Sequence, residues 1–101
     1  MAKWADWLIS AVRYDDDHSR IVKVRAHLDK GDTVGSAQEQ TRAEVVRSVE
    51  GGQTYCTIVK GTDGKWKRGE DVRVITIDGE KFIRTDANRT KKDNLGNLPE
   101  F

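Results

Sequence analysis

The sequence predicts an α+β domain: a curled antiparallel sheet of about five or six strands in the order ββαβββ with one short helix, or alternatively a partly open small β-barrel. Three observations carry this. Two Asp-Gly pairs, Asp63-Gly64 and Asp78-Gly79, lie between strand-like runs in Thr54 to Thr85. Asp-Gly suits a type I′ hairpin turn, which needs positive φ at both central positions. Arg20 to Leu28 alternates apolar and polar residues, the period of a strand with one covered face. Thr41 and Glu44 have capping-box spacing, and Gly51-Gly52 follows the Val-rich turn between them.

The elements follow in chain order. Asp6 to Tyr14, DWLISAVRY, reads as a strand, with Trp7, Ile9 and Ala11 on one face and Leu8, Val12 and Tyr14 on the other. Both faces are apolar, which fits a central strand covered on both sides. The polar run Asp15 to Ser19 turns the chain into Arg20 to Leu28, where Val22, Val24, Ala26 and Leu28 point inward and Lys23, Arg25 and His27 outward. Asp29 to Gln40 reads as loop, although Ser36 with Glu39 offers an earlier helix cap. In the helix after Thr41, Val45, Val46 and Val49 form the buried stripe, and Gly51 supplies the left-handed stop. A helix this short holds only if that stripe packs on the sheet.

Thr54 to Lys60 is the next strand. Lys65-Trp66-Lys67 returns from the first Asp-Gly turn as a short strand, ended by Arg68-Gly69-Glu70-Asp71. Val72 to Ile77 and Glu80 to Thr85 form a second hairpin. A two-residue loop at Asp78-Gly79 sets Ile77 opposite Glu80, Ile75 opposite Phe82 and Val74 opposite Ile83. The apolar residues on both its faces make this hairpin the expected centre of the core. Residues 1–85 are the expected domain, and 86–101 a polar tail that docks through Leu95, Leu98 and Phe101 or frays.

Composition narrows the function. The chain has 101 residues, a third of them charged, with 18 basic and 17 acidic side chains and a net charge of +1. Both signs are interspersed, without the basic excess of a dedicated nucleic-acid binder. The longest apolar run, Trp7 to Ile9, is far too short to span a membrane. The lone Cys56 permits no internal disulfide and fits a reducing compartment, so a cytoplasmic protein is expected, with no membrane partner. Cys56 lies in a strand-like run without a neighbouring His and reads as a small core residue.

The second hairpin leads into Phe82-Ile83-Arg84-Thr85-Asp86, and further on comes Asp93-Asn94-Leu95-Gly96-Asn97-Leu98-Pro99. Before them run an N-terminal hairpin, a Gly-containing loop, a Thr-capped helix ending in Gly and a strand beginning Tyr55-Cys56-Thr57. Over roughly Trp7 to Pro99 this order resembles a small, mostly bacterial family, domain of unknown function 3892. The resemblance implies a small α+β domain. It carries over no activity and no site residue.

No phosphate loop, dinucleotide fingerprint, nucleophile elbow or metal-protease helix is present, so neither an enzyme nor a cofactor or metal is expected. Asp15 to His18 lacks the spacing and glycine of a calcium loop. A non-enzymatic binding or interaction module is the leading expectation, with a protein partner or self-association through a sheet edge or the tail. A small-ligand pocket between helix and sheet is a further class. The alternative is a small nucleic-acid-binding module that uses Arg13, Lys23, Arg25, Lys65, Trp66, Lys67 and Arg68: a basic sheet face with an aromatic platform for bases.

Overall fold

The chain folds into one mixed, open sheet with a helix on one face. The computed structural model describes residues 4–16, 20–31, 33–85, 93, 95 and 98–101. The elements are β1 (Trp7–Tyr14), β2 (Ile21–Asp29), β3 (Val34–Thr41), α1 (Arg42–Glu50), β4 (Tyr55–Lys60), β5 (Trp66–Ile77) and β6 (Glu80–Arg84). The six strands run in the order β3-β2-β1-β4-β5-β6. Neighbours pair antiparallel except β1 with β4, which is parallel. The sheet is thus α+β and curled, and it does not close into a barrel.

Local chemistry accounts for the well-read elements. Thr41 Oγ1 accepts from the Glu44 amide at 3.2 Å and caps α1. The Glu44 carboxylate accepts from the Thr41 hydroxyl, not from the Thr41 amide as a full capping box would have it. Val45 and Val46 are buried, and Val49 packs beside them on the sheet. The second hairpin keeps the expected register, Ile77↔Glu80, Ile75↔Phe82 and Val74↔Ile83. Asp78 and Gly79 both have positive φ, 52° and 82°, as a type I′ turn requires.

Several expectations are corrected. Asp29 to Gln40 is not a loop, because Val34–Thr41 is an edge strand that contains Ser36 and Glu39. Arg68 to Asp71 does not end a strand, because β5 runs unbroken through it with a register slip between Cys56 and Ile58 of β4. Gly69 makes that bulge possible. A Cβ there would stand 2.3 Å from Thr57 Oγ1, which instead accepts from the Glu70 amide at 2.9 Å. The left-handed residue after α1 is Gly52, at φ 101°, not Gly51. At the first Asp-Gly pair only Gly64 has positive φ, within a longer loop that joins Lys60 to its partner Trp66.

Bulges also rearrange the predicted faces. The β1–β2 register slips at Ser10, between Ile9 and Ala11. One extra residue reverses strand parity, so Ile9 and Val12 share the main core while Leu8 belongs to a second cluster on the opposite face. A second slip, between Arg13 and Tyr14, leaves Val22 exposed and turns Ile21 into the core with Val24 and Ala26. Leu28, expected inside, is exposed at the strand end, and His27, expected outside, is buried. The second hairpin is not the centre of the core: β6 is the far edge of the sheet, and the main core gathers on β1, β2 and α1, with Tyr55 of β4, Val72 of β5 and Ile83 of β6 joining it.

The C-terminal residues complete the frame. Leu95 and Leu98 are buried in the main core. β4 accompanies β1 only from Trp7 to Ile9. Beyond the Ser10 bulge residues 99–101 take over that edge: the Val12 amide donates to Pro99 O at 2.9 Å, and the Phe101 amide to Val12 O at 3.0 Å. Asp93 is the polar anchor of the core. Its carboxylate accepts from the Ile21 and Ile83 amides, each at 2.8 Å, and from Arg42 Nε at 2.6 Å. In the stretch 93–99 Leu95 and Leu98 therefore serve as packing, Asp93 as a hydrogen-bonded anchor, and the exposed Pro99 through its carbonyl. Asp17, His18, Asp86, Asn94, Gly96 and Asn97 lie outside the described residues.

Candidate functional site

The face of the sheet opposite α1 carries the smaller cluster of Ala5, Leu8, Cys56 and Ile58, with Trp66 packed against it. Beside this cluster opens a cavity of about 450 Å³, lined by Ser10, Arg25, Ile58, Lys60, Trp66 and Pro99 among others. Its position follows from β1: where Ser10 bulges, β4 parts from β1, and the gap becomes a cleft with the C-terminal segment at its rim.

The seven residues read from the sequence do not form one patch. Arg13 and Lys23 are register partners on β1 and β2, and Arg25 lies opposite Ala11. Arg25 and Trp66 meet at the cavity. Arg68 shares the strand parity of Trp66 but is paired with Asp71 at 2.7 Å. Lys67 alternates to the other side of β5, opposite Val59, and Lys65 sits in the turn before the strand. Lys23 is in reach of Glu39 at 3.9 Å.

Two contributors escaped sequence reading. Lys60 holds its ammonium 5.2 Å from the Trp66 ring centre, and the two are register partners across the first hairpin. The guanidiniums of Arg13 and Arg25 lie 5.0 and 4.5 Å from the Phe101 ring centre, and Arg13 Nε also donates to Phe101 O at 2.7 Å. Lys60 was not legible, because a two-residue loop at Asp63-Gly64 sets it opposite Lys67 and only the longer loop pairs it with Trp66. Phe101 was legible only as an apolar residue at a spacing of three, with nothing to name its cationic partners.

Two cations of this face are handled differently from the rest, Arg68 of the same face included. Arg20, Arg42, Arg68 and Lys81 each meet a carboxylate at 2.6 or 2.7 Å. Among the described residues Arg25 and Lys60 meet none, and rest on aromatic rings instead. A cation over a ring keeps its charge uncompensated by an anion and open to an incoming one. The buried Cys56 thiol is pushed above its usual range by desolvation, against the pull of nearby Arg68. It is therefore a packing residue of this face, not a thiolate.

Ser10 and His27 form a hydrogen-bonded pair at the inner end of the cleft. Ser10 Oγ and His27 Nε2 are 2.7 Å apart, and His27 Nδ1 is 2.8 Å from Gly35 O. The imidazole lies 5.9 Å from the Trp66 ring at a tilt of 52°. Burial at 7% exposure makes these partners necessary, since an unpaired buried ring nitrogen is costly.

A wider groove of about 700 Å³ runs between the C-terminal end of α1 and the β4–β5 pair, lined by Trp4, Val49, Tyr55 and Val72 among others. It is the helix-to-sheet pocket considered from sequence, and Trp4 stands 39% exposed at it. Its charged lining residues, Glu50, Arg68, Asp71 and Arg73, carry both signs, whereas those of the smaller cleft, Arg25 and Lys60, are both cations. Among the described residues no helix is long and apolar enough to cross a membrane.

The family described as protein of unknown function (DUF3892) matches residues 8–99. No curated protein and no solved structure matches the chain.

Proposed function

The chain belongs to this family of unknown function, and from the geometry of its outer face we propose that it is a binding module for a small anionic ligand. One observation carries the reading. Arg25 and Lys60 line one cavity without a carboxylate partner among the described residues, and Arg13 stands beside Arg25 on the same ring. Mutual repulsion of such cations is relieved when an anion enters. The cavity is partly apolar, with Ile58 and Trp66 in its wall, which suits a ligand with both a charged end and a carbon body.

Single-stranded nucleic acid is the weaker reading. It needs exposed rings for bases to stack on, and both Phe101 and Trp66 already carry the protein's own cations. Titration calorimetry with citrate, pyrophosphate and an oligothymidylate separates the two. Saturable binding of a small anion, lost in the Arg25→Ala, Lys60→Ala double variant, is expected. Tight oligothymidylate binding with a steep salt dependence, and no small-anion binding, would replace this reading with the nucleic-acid one.

A further inference from the structure

We propose that Ser10 is a base-activated nucleophile, with His27 as its general base, acting on small carboxylic esters bound in the outer cleft. The assignment begins with proton positions. Gly35 O can only accept, so His27 Nδ1 carries the hydrogen and donates to it at 2.8 Å. In the neutral ring Nε2 is then the lone-pair nitrogen, and the Ser10 hydroxyl donates to it at 2.7 Å. That is the polarity of a serine nucleophile and its base, with a backbone carbonyl as the group that orients the imidazole.

Three further features place this pair where chemistry is possible. The β1 bulge turns Ser10 out of the regular ladder, and bulges recur where a side chain is re-aimed beside a site. Ser10 itself lines the cavity. A histidine kept only for packing needs its nitrogens satisfied, but does not need its partner hydroxyl to face a cleft. Arg25 and Lys60 line the same cavity and supply positive charge where an oxyanion develops. Sequence motifs could not show this arrangement, because Ser10, His27 and Gly35 sit on three strands and meet only through sheet register.

The step balances as follows. Ser10 Oγ attacks the ester carbonyl carbon while its proton passes to His27 Nε2. The carbonyl re-forms as the C–O bond to the alcohol breaks, and the alcohol leaves with that proton. Water, deprotonated by the same nitrogen, then attacks the acyl-serine; the C–Oγ bond breaks, and Nε2 returns the proton to Ser10 Oγ as the acid leaves. No oxidant, metal or second substrate beyond water is needed. The preference for an ester whose acyl part is anionic rests on the anion-binding reading above. The nucleophile does not.

The test uses the full chain and two probes. An uncharged alkyl fluorophosphonate should form an Oγ–P bond with loss of fluoride, giving one adduct that peptide mapping places on Ser10. Ser10→Ala should lose the adduct, and His27→Gln should slow its formation by about 100-fold. Because His27→Gln disturbs a buried site, the unaltered protein is also labelled in urea, where Ser10 should not react. No adduct on native protein, an adduct elsewhere, an equal rate in His27→Gln, or equal labelling in urea would overturn the proposal. Hydrolysis of p-nitrophenyl acetate is then compared with the mono-p-nitrophenyl ester of succinate. A kcat/KM about tenfold higher for the anionic ester, lost in Arg25→Ala, supports both readings. Equal rates with Ser10 still labelled uphold the nucleophile and overturn the anion site.

Discussion

Asp93 and His27 are both buried polar side chains, and the fold treats them in opposite ways. Asp93 lies on the helix side, and its two oxygens accept from two backbone amides and from Arg42 Nε and Nη2. These donors come from three parts of the frame: the start of β2, β6 and the first turn of α1. Nothing is left to bind a ligand. His27 lies on the other face, and its bonds form a line from Gly35 through the ring to Ser10 and so to a cavity. A saturated buried group is a staple, whereas one whose chain of bonds ends at a cleft can act on what enters it.

The comparison breaks most sharply at Asp93. Asp93→Ala leaves the Arg42 guanidinium and the Ile21 and Ile83 amides without their acceptor. Removing one partner of a buried pair costs about 3–5 kcal/mol, a large share of a small domain's stability. Urea unfolding should show a midpoint shift of that size at unchanged slope. A shift below about 1 kcal/mol would mean that water replaces the carboxylate and the site is no staple.

Gly69→Ala comes next. The new Cβ meets Thr57 Oγ1 at 2.3 Å and Thr57 O at 3.0 Å, so the β5 bulge must shift. Overpacking of this kind costs about 1–3 kcal/mol, read in the same urea titration. Ser10→Ala leaves the Gly35 bond of His27 in place but strips the buried Nε2 of its donor, so about 1–3 kcal/mol is expected. Its stability effect should be smaller than that of Asp93→Ala while its effect on labelling is complete.

The same contrast explains what could be read from the sequence. Local signals were legible: the Asp78-Gly79 register, the Thr41 cap with its valines, and the β1–β2 hairpin with apolar residues on both faces of β1. β3 was not, because VGSAQEQT is polar on an edge and is held by backbone pairing to β2, which leaves no alternation to see. β5 looked interrupted because Gly69 is a bulge rather than a stop. Periodicity counts residues, and each bulge adds one, so the faces of β1 and of Ile21 and Val22 were misread from correct strands, whereas His27 kept its outer face and is covered there by Ser10 and Trp66. The site suffered most. Arg13, Lys23, Arg25 and Trp66 were legible as charges and a ring, but Ser10, Lys60 and Phe101 gain meaning only from partners 17, 6 and 88 positions away. Asp93 stood in the recognised stretch, yet nothing local told that it bonds across 72 residues.

Phe101 gives the smallest and most discriminating effect. Its ring sits under two guanidiniums at the exposed rim of the cleft. Cation–π contacts at such positions contribute about 0.5–1 kcal/mol, and the backbone bonds of residues 99–101 to Val12 do not require the side chain. Phe101→Ala should therefore lower stability by no more than about 1 kcal/mol in urea unfolding. Arg13 and Arg25 then lose their resting place but keep their charge, so small-anion affinity at the cleft should hold or rise. If Phe101→Ala instead destabilises as much as Asp93→Ala and abolishes anion binding, the outer face is a second staple, and the distinction between the two sides of the sheet fails.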